Sequence, residues 1–195
     1  MASINGLSIK KLKYFQGMDG KMAQGDLYLG NKKIAFWSQD DCIEDNLDME
    51  SGYSEYRLRQ AIIAAHPEKH EEKIAQNGVP YTLDYDLEYL MTDLLSIKET
   101  EKAWKRATKA GYVGLYEMTD GFHVAQWKLS KSLYDRNIRT VENVKKHIPH
   151  RELEMARASM FSNVTPTERI FWKKSDFTIG ESLKLADISI ERKEH

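Results

Sequence analysis

The chain is poor in cysteine, in proline and in long apolar runs, and each shortage narrows what it can be. Of its 195 residues one is cysteine, Cys42, so no internal disulfide framework is available and a reducing compartment is expected. Four prolines and no low-complexity tract speak against long disordered segments. Nowhere do about 18 apolar residues run together, so no transmembrane helix is expected. The opening residues, Met1 to Gly6, lack a basic stretch followed by an apolar one, so no secretory signal is expected either. A Gly-rich phosphate loop, a Gly-x-Ser-x-Gly elbow and a credible Cys–His pair are missing too, which leaves no signature of an enzyme.

What is there is a core-forming share of apolar residues, 41%, and a segregated charge. The formal net charge of −1 divides into +3 over residues 1–40, −10 over 41–101 and +6 over 102–195. Such a division gives surface fields of opposite sign where the segments stay apart, and nothing where they pack together and compensate.

Residues 7–16 read as a strand, 17–20 as a turn, and 22–29 with 33–38 as a hairpin about Gly30-Asn31. Leu27, Leu29, Ile34 and Phe36 are expected on one face, Tyr28 and Trp37 on the other. Leu47 and Met49 suggest a short fourth strand. Leu58, Ala61, Ile62 and Ala65 have helical spacing, with Ser51 or Ser54 as cap and Pro67 as the stop. Residues 66–78 read as a polar loop. Leu87, Leu90, Met91 and Leu94 mark a second helix capped by Thr82 or Asp84. Ser96 with Glu99 has the capping-box spacing of a third, in which Glu101 and Lys105 form an i,i+4 pair and Gly111 is the left-handed end. Residues 112–118 and 122–129 then form a hairpin on a two-residue Asp120-Gly121 turn. In that register Met118 opposes His123 and Gly114 leaves room for Trp127, with one face apolar and the face of Glu117, Gln126 and Lys128 wet. Thr140 caps a short helix carrying Val141, Val144 and Ile148. Leu153, Ala156 and Met160 carry another. Thr165-Pro-Thr-Glu168 has capping-box spacing with Pro at its first turn. Ala186, Ile188 and Ile190 alternate as a last strand.

The order of these elements implies an α+β fold: an N-terminal antiparallel β-ribbon, central helices, a second antiparallel hairpin and a mixed C-terminal part. Residues 1–130 are expected to form the core and 131–195 a C-terminal extension, in the same domain or a separate one.

Two groups of side chains are candidates for binding. Asp40, Asp41, Glu44, Asp45, Asp48 and Glu50 form an acidic stretch without the ligand order of an EF-hand, and could enter a basic groove made for nucleic acid. Arg169, Trp172, Lys173 and Lys174 belong to a hexamer that interleaves cations and rings, the composition of a stacking and phosphate-binding surface and equally of an amphipathic element with Ile170 and Phe171 or Trp172 in the core. The pairs His66/His70 and His147/His150 lack a metalloprotease order and a cysteine partner, and His123 reads as a partly buried histidine near a hairpin end. No metal site, cofactor or catalytic residue is assigned.

The stretch from Ile9 to Gly20, with its Gly-Met-Asp-Gly turn, followed by Gly25 to Ala35 with its Tyr-Leu-Gly-Asn-Lys-Lys hairpin, resembles the N-terminal ribbon of small phage and prophage proteins. Sequences of this size and style occur among anti-CRISPR proteins that inhibit type II-A Cas9. The resemblance implies a protein of the bacterial host cytoplasm that acts by binding, with Cas9 and its guide RNA as partner and occlusion of a DNA-binding surface as mechanism. The residues themselves leave two further readings open: a nucleic-acid-binding accessory protein using the basic–aromatic patch, and a nuclease-type enzyme whose site is unidentified.

Overall fold

The structure is a computed structural model describing residues 1–17, 21–39, 45–69, 71–74, 80–120, 123–161 and 165–190. In chain order its elements are β1 (Ser3–Ile4), β2 (Leu7–Gln16), β3 (Lys21–Leu29), β4 (Lys32–Gln39), β5 (Asp45–Met49), α1 (Glu55–Ala64), β6 (Glu71–Ile74), β7 (Pro80–Leu83), α2 (Leu87–Lys109), β8 (Gly114–Thr119), β9 (Val124–Leu129), α3 (Lys131–Asp135), α4 (Val141–Lys145), α5 (His150–Ala158), β10 (Thr167–Phe171), β11 (Thr178–Ile179) and α6 (Leu185–Ile188). The fold is α+β. Packing divides the chain into an inserted unit, Ile97–Phe177 with Met1, and an outer unit made of Ala2–Ser96 and Thr178–His195.

In the outer unit a six-stranded sheet runs β11-β1-β2-β3-β4-β5. The expected three-stranded ribbon is its centre. Leu7 pairs with Leu29, Ile9 with Leu27 and Leu27 with Ala35, and Ile34 is left as an extra residue between Lys33 and Ala35. That bulge reverses the faces beyond it. Trp37, fully buried, therefore shares the core side with Leu27, and Phe36 lies on the opposite side across from Asp26. A second irregularity in β2 sets Lys11 at φ +50°, with its ammonium 2.9 Å from the buried Asp26 carboxylate. Ser54 caps α1 through its hydroxyl, which accepts from the Arg57 amide, and the helix ends before Pro67. The segment expected as a polar loop contains β6, which pairs with β7 just beyond it, and His66 is 9% exposed.

Two helices expected on either side of Ser96 are one. Leu87, Leu90, Met91, Leu94, Ile97, Glu101 and Ala107 keep a single buried stripe, and no Gly or Pro interrupts it, so the capping-box spacing at Ser96 is overridden. The cap at the start is Asp86, which accepts from the Tyr89 amide. The end is as expected: Gly111 has φ +89°, and Gly111 N donates to Thr108 O and Tyr112 N to Ala107 O, the paired bonds of a Schellman motif. The i,i+4 pair of Glu101 and Lys105 is present at 2.8 Å.

The inserted unit is built on a second sheet ordered β10-β8-β9. Thr165 to Glu168 starts no helix; Thr167–Phe171 pairs with β8 instead, and Glu168 turns its carboxylate to Tyr116 and Lys145 rather than back to its own backbone. β8 lies between β10 and β9, and both of its faces are covered. Tyr116 and Met118 pack with Leu129, Val144, Ile148 and Met160 on one side. On the side expected to be wet, Glu117 is 2% exposed and accepts from Thr100 of α2 and from Gln126. At the C-terminus the expected strand is the short helix α6, with Ser189 bridged to Tyr53.

Candidate nucleic-acid interface

The β8–β9 hairpin closes two residues later than the Asp120-Gly121 turn would have it: Thr119 faces Val124 and Tyr116 faces Trp127. A shift of two keeps every side chain on its face, so Tyr116 and Trp127 still stack, at 5.3 Å. His123 leaves the sheet. Its amide and its Nδ1 both meet the Asp120 carboxylate, at 2.6 and 3.1 Å, and the Phe161 amide donates to the same group at 2.8 Å. The Asp120 carboxylate thus accepts from two backbone amides that are distant in sequence from each other.

The space over Gly114 is filled from the other strand. A Cβ there would collide with the Trp172 ring, which follows β10. Gly114 opens β8, Leu129 closes β9 opposite it, and Phe171 closes β10 beside Leu115, so one end of the sheet receives everything just outside those residues. α2 also delivers its last turn and Tyr112 here. Tyr134 of α3 meets Trp172 edge to face at 5.4 Å, and the Arg139 guanidinium lies over the Tyr134 ring at 4.1 Å. Trp172 Nε1 donates to Arg139 O at 3.4 Å. On the Tyr112 side, the Lys128 ammonium is 5.4 Å from the ring. Lys173 and Lys174 are exposed immediately after Trp172. The carboxylates of Asp135 and Asp176 at this end are both engaged. Asp135 takes Lys131 at 2.6 Å, and Asp176 accepts the Trp172 and Lys173 amides at 2.7 and 2.9 Å.

Of the basic–aromatic hexamer, then, Trp172, Lys173 and Lys174 stand together, while Phe171 is buried in the core and Ile170, like Trp172, is half-buried against it. Arg169 does not join them: it lies across from Glu117 on the α2 side of the sheet, three residues back from Trp172. Tyr134 and Arg139 were not foreseen. Residues 33 and 38 positions upstream of Trp172 carry no local signal of meeting it; β10 pairing brings them there.

The acidic stretch fares differently. Asp40, Asp41 and Glu44 lie outside the described residues. Asp45 is 6% exposed and cannot act as a surface charge, because it shares the inward face of β5 with Leu47 and Met49. Burial pushes its carboxyl from the usual 3.8 up to about 6, with the nearby Glu88 adding to the effect. Asp48 faces out and is exposed. Glu50 is exposed and ion-paired with Lys33 at 2.7 Å.

The charge pattern of the sequence follows the two units. Ile97–Phe177 contains 16 Lys and Arg against 10 Asp and Glu, a net of +6, and the outer unit contains 13 against 20, a net of −7. Among the described residues no three His, Cys, Asp or Glu side chains are placed to hold a metal ion, and no helix is long and apolar enough to cross a membrane. No family model, no curated protein and no solved structure matches the chain.

Proposed function

We propose that the chain is a nucleic-acid-directed binding protein, not an enzyme, and that the basic end of its inserted unit is the contact surface. The observation that carries the reading is the gathering of Tyr134, Arg139, Trp172, Lys173 and Lys174 at one end of the β10-β8-β9 sheet in a unit of net +6. Cations supply sequence-independent affinity for phosphate by releasing counterions. Replacing Lys173 and Lys174 with Ala should weaken binding to DNA and RNA alike and lower the slope of log affinity against log salt by about 2. A wild-type protein that binds neither nucleic acid at low salt overturns the reading.

A second reading is favoured by the acidic outer unit, net −7, together with the resemblance of its ribbon to phage proteins. In it the chain is a phage-encoded inhibitor in the bacterial cytoplasm whose acidic surface occupies a groove made for nucleic acid, with Cas9 and its guide RNA as the concrete candidate. With Asp45 inside the fold and Glu50 ion-paired with Lys33, Asp48 is the described acid of that stretch that would carry this contact. The readings separate on purified components: the second requires that the protein block DNA binding by Cas9–guide RNA, and that Asp48→Lys slow association most at low salt.

A further inference from the structure

We infer that the basic end of the inserted unit takes unpaired nucleotides rather than duplex, one base stacking on Arg139 above Tyr134 while Lys173 and Lys174 hold phosphates; this rests on the nucleic-acid reading above. Lysines alone do not distinguish the two, since phosphates are displayed by both. Rings do, because base faces are hidden in a duplex and open in a single strand.

The rings here are held in place. Trp172 is fixed against the Gly114 backbone, where no Cβ fits, and by its Nε1 bond to Arg139 O. Tyr134 is set against Trp172, and the Arg139 guanidinium over Tyr134. Arg139 and Tyr134 are both exposed. A guanidinium lying over a ring is restrained before any ligand arrives, which lowers the ordering cost of binding, and its outer side is a surface on which a base stacks. The pairing of an exposed ring with a cation recurs at the same end in Tyr112, 38% exposed, and Lys128. Phosphate binding by itself calls for neither ring.

The test compares labelled oligo-dT, oligo-rU and a mixed-sequence duplex of equal length by fluorescence anisotropy at one salt concentration. Single strands are expected to bind tighter than duplex. Tyr134→Ala is expected to weaken single-strand binding about 5- to 100-fold, the range for loss of one stacked base, and to leave duplex binding unchanged. Arg139→Lys keeps the charge and removes the plane. It is expected to lose the same preference without altering the salt slope, and it guards against Tyr134→Ala acting through folding. Duplex bound as tightly as single strand, or Arg139→Lys indistinguishable from wild type on single strands, overturns this inference and leaves the binding reading standing. If the wild type binds none of the three probes at low salt, both fall.

Discussion

His66 Nε2 lies 2.7 Å from the side-chain oxygen of Asn5, and the Asn5 side-chain nitrogen donates to Glu181 O at 3.1 Å. With the nitrogen committed, the oxygen is the acceptor, so Nε2 of His66 carries the proton. Asn5 also bonds through its backbone, from its N to Ile179 O and from Leu183 N to its O. A residue at the β1–β2 turn thus ties the exit of α1 to the returning C-terminal segment, the two pieces of chain that make the outer unit discontinuous.

Replacing Asn5 with Ala removes both side-chain bonds and leaves φ +50° to a residue less tolerant of it than Asn. The expected loss is about 2–4 kcal/mol. In a double-mutant cycle with His66→Ala the two changes should be non-additive by about 1 kcal/mol or more. Additive losses in urea melts would mean that the Asn5–His66 bond contributes nothing of its own.

Gly111 isolates a backbone effect. Nothing lies within 4 Å of where its Cβ would be, so a substitution there is resisted by φ +89° alone. Gly111→Val should cost about 1–2 kcal/mol and Gly111→Asn clearly less, since Asn tolerates left-handed backbone. Equal melting temperatures for the two variants would show that another term, outside the φ preference, sets the cost.

Gly111 was legible because a helix end, a glycine and a following strand are local signals. Glu168 was not, although its spacing from Thr165 is that of a capping box. Its carboxylate is held by distant partners instead: the Lys145 ammonium donates to it at 2.7 Å and the Tyr116 hydroxyl at 3.0 Å across 52 residues. Burial, and then that bond, hold the Tyr116 hydroxyl well above its ordinary pKa. Trp172 was half legible: its composition could be read, while its seat on Gly114 depends on a register between distant strands. Asp45 is a different kind of miss. Leu47 and Met49 suggest a strand, and on period-two alternation Asp45 shares their face, but the run of acids around it masked the signal.

The seat of Trp172 is a packing prediction. Gly114→Ala drives a methyl into that ring and should cost about 1–3 kcal/mol, as overpacking does. Combined with Trp172→Ala, which vacates the space, the Gly114→Ala penalty should largely disappear. A full penalty in the Trp172→Ala background would place the clash elsewhere, and the Phe171 carbonyl, 3.2 Å from the same Cβ position, is the alternative.

Asp45 gives a pH dependence whose sign differs from that of a paired surface carboxylate. Its carboxyl is raised from 3.8 to about 6 in the folded protein. Below the lower value it is protonated whether the chain is folded or not. Between the two, the unfolded chain has released the proton and the folded chain still holds it, so folding is favoured less and less as pH rises. Above the folded value the cost is complete: about two pKa units at about 1.4 kcal/mol each, hence up to about 3 kcal/mol. Arg59 draws its guanidinium to Asp45 O at 3.2 Å and to Glu55 and Glu88 at 2.9 and 2.8 Å, so its charge is shared with two other acids. Asp45→Asn keeps the size of the side chain and fixes it neutral. The variant should therefore be more stable than wild type at about pH 7.5, by up to about 3 kcal/mol, and close to it at about pH 4, where Asp45 is itself mostly neutral. Comparing the two proteins at each pH cancels the titration of groups that do not interact with Asp45. Urea melts at both values measure the difference, and a variant no more stable than wild type at the higher pH would mean that ionised Asp45 is compensated by groups other than Arg59.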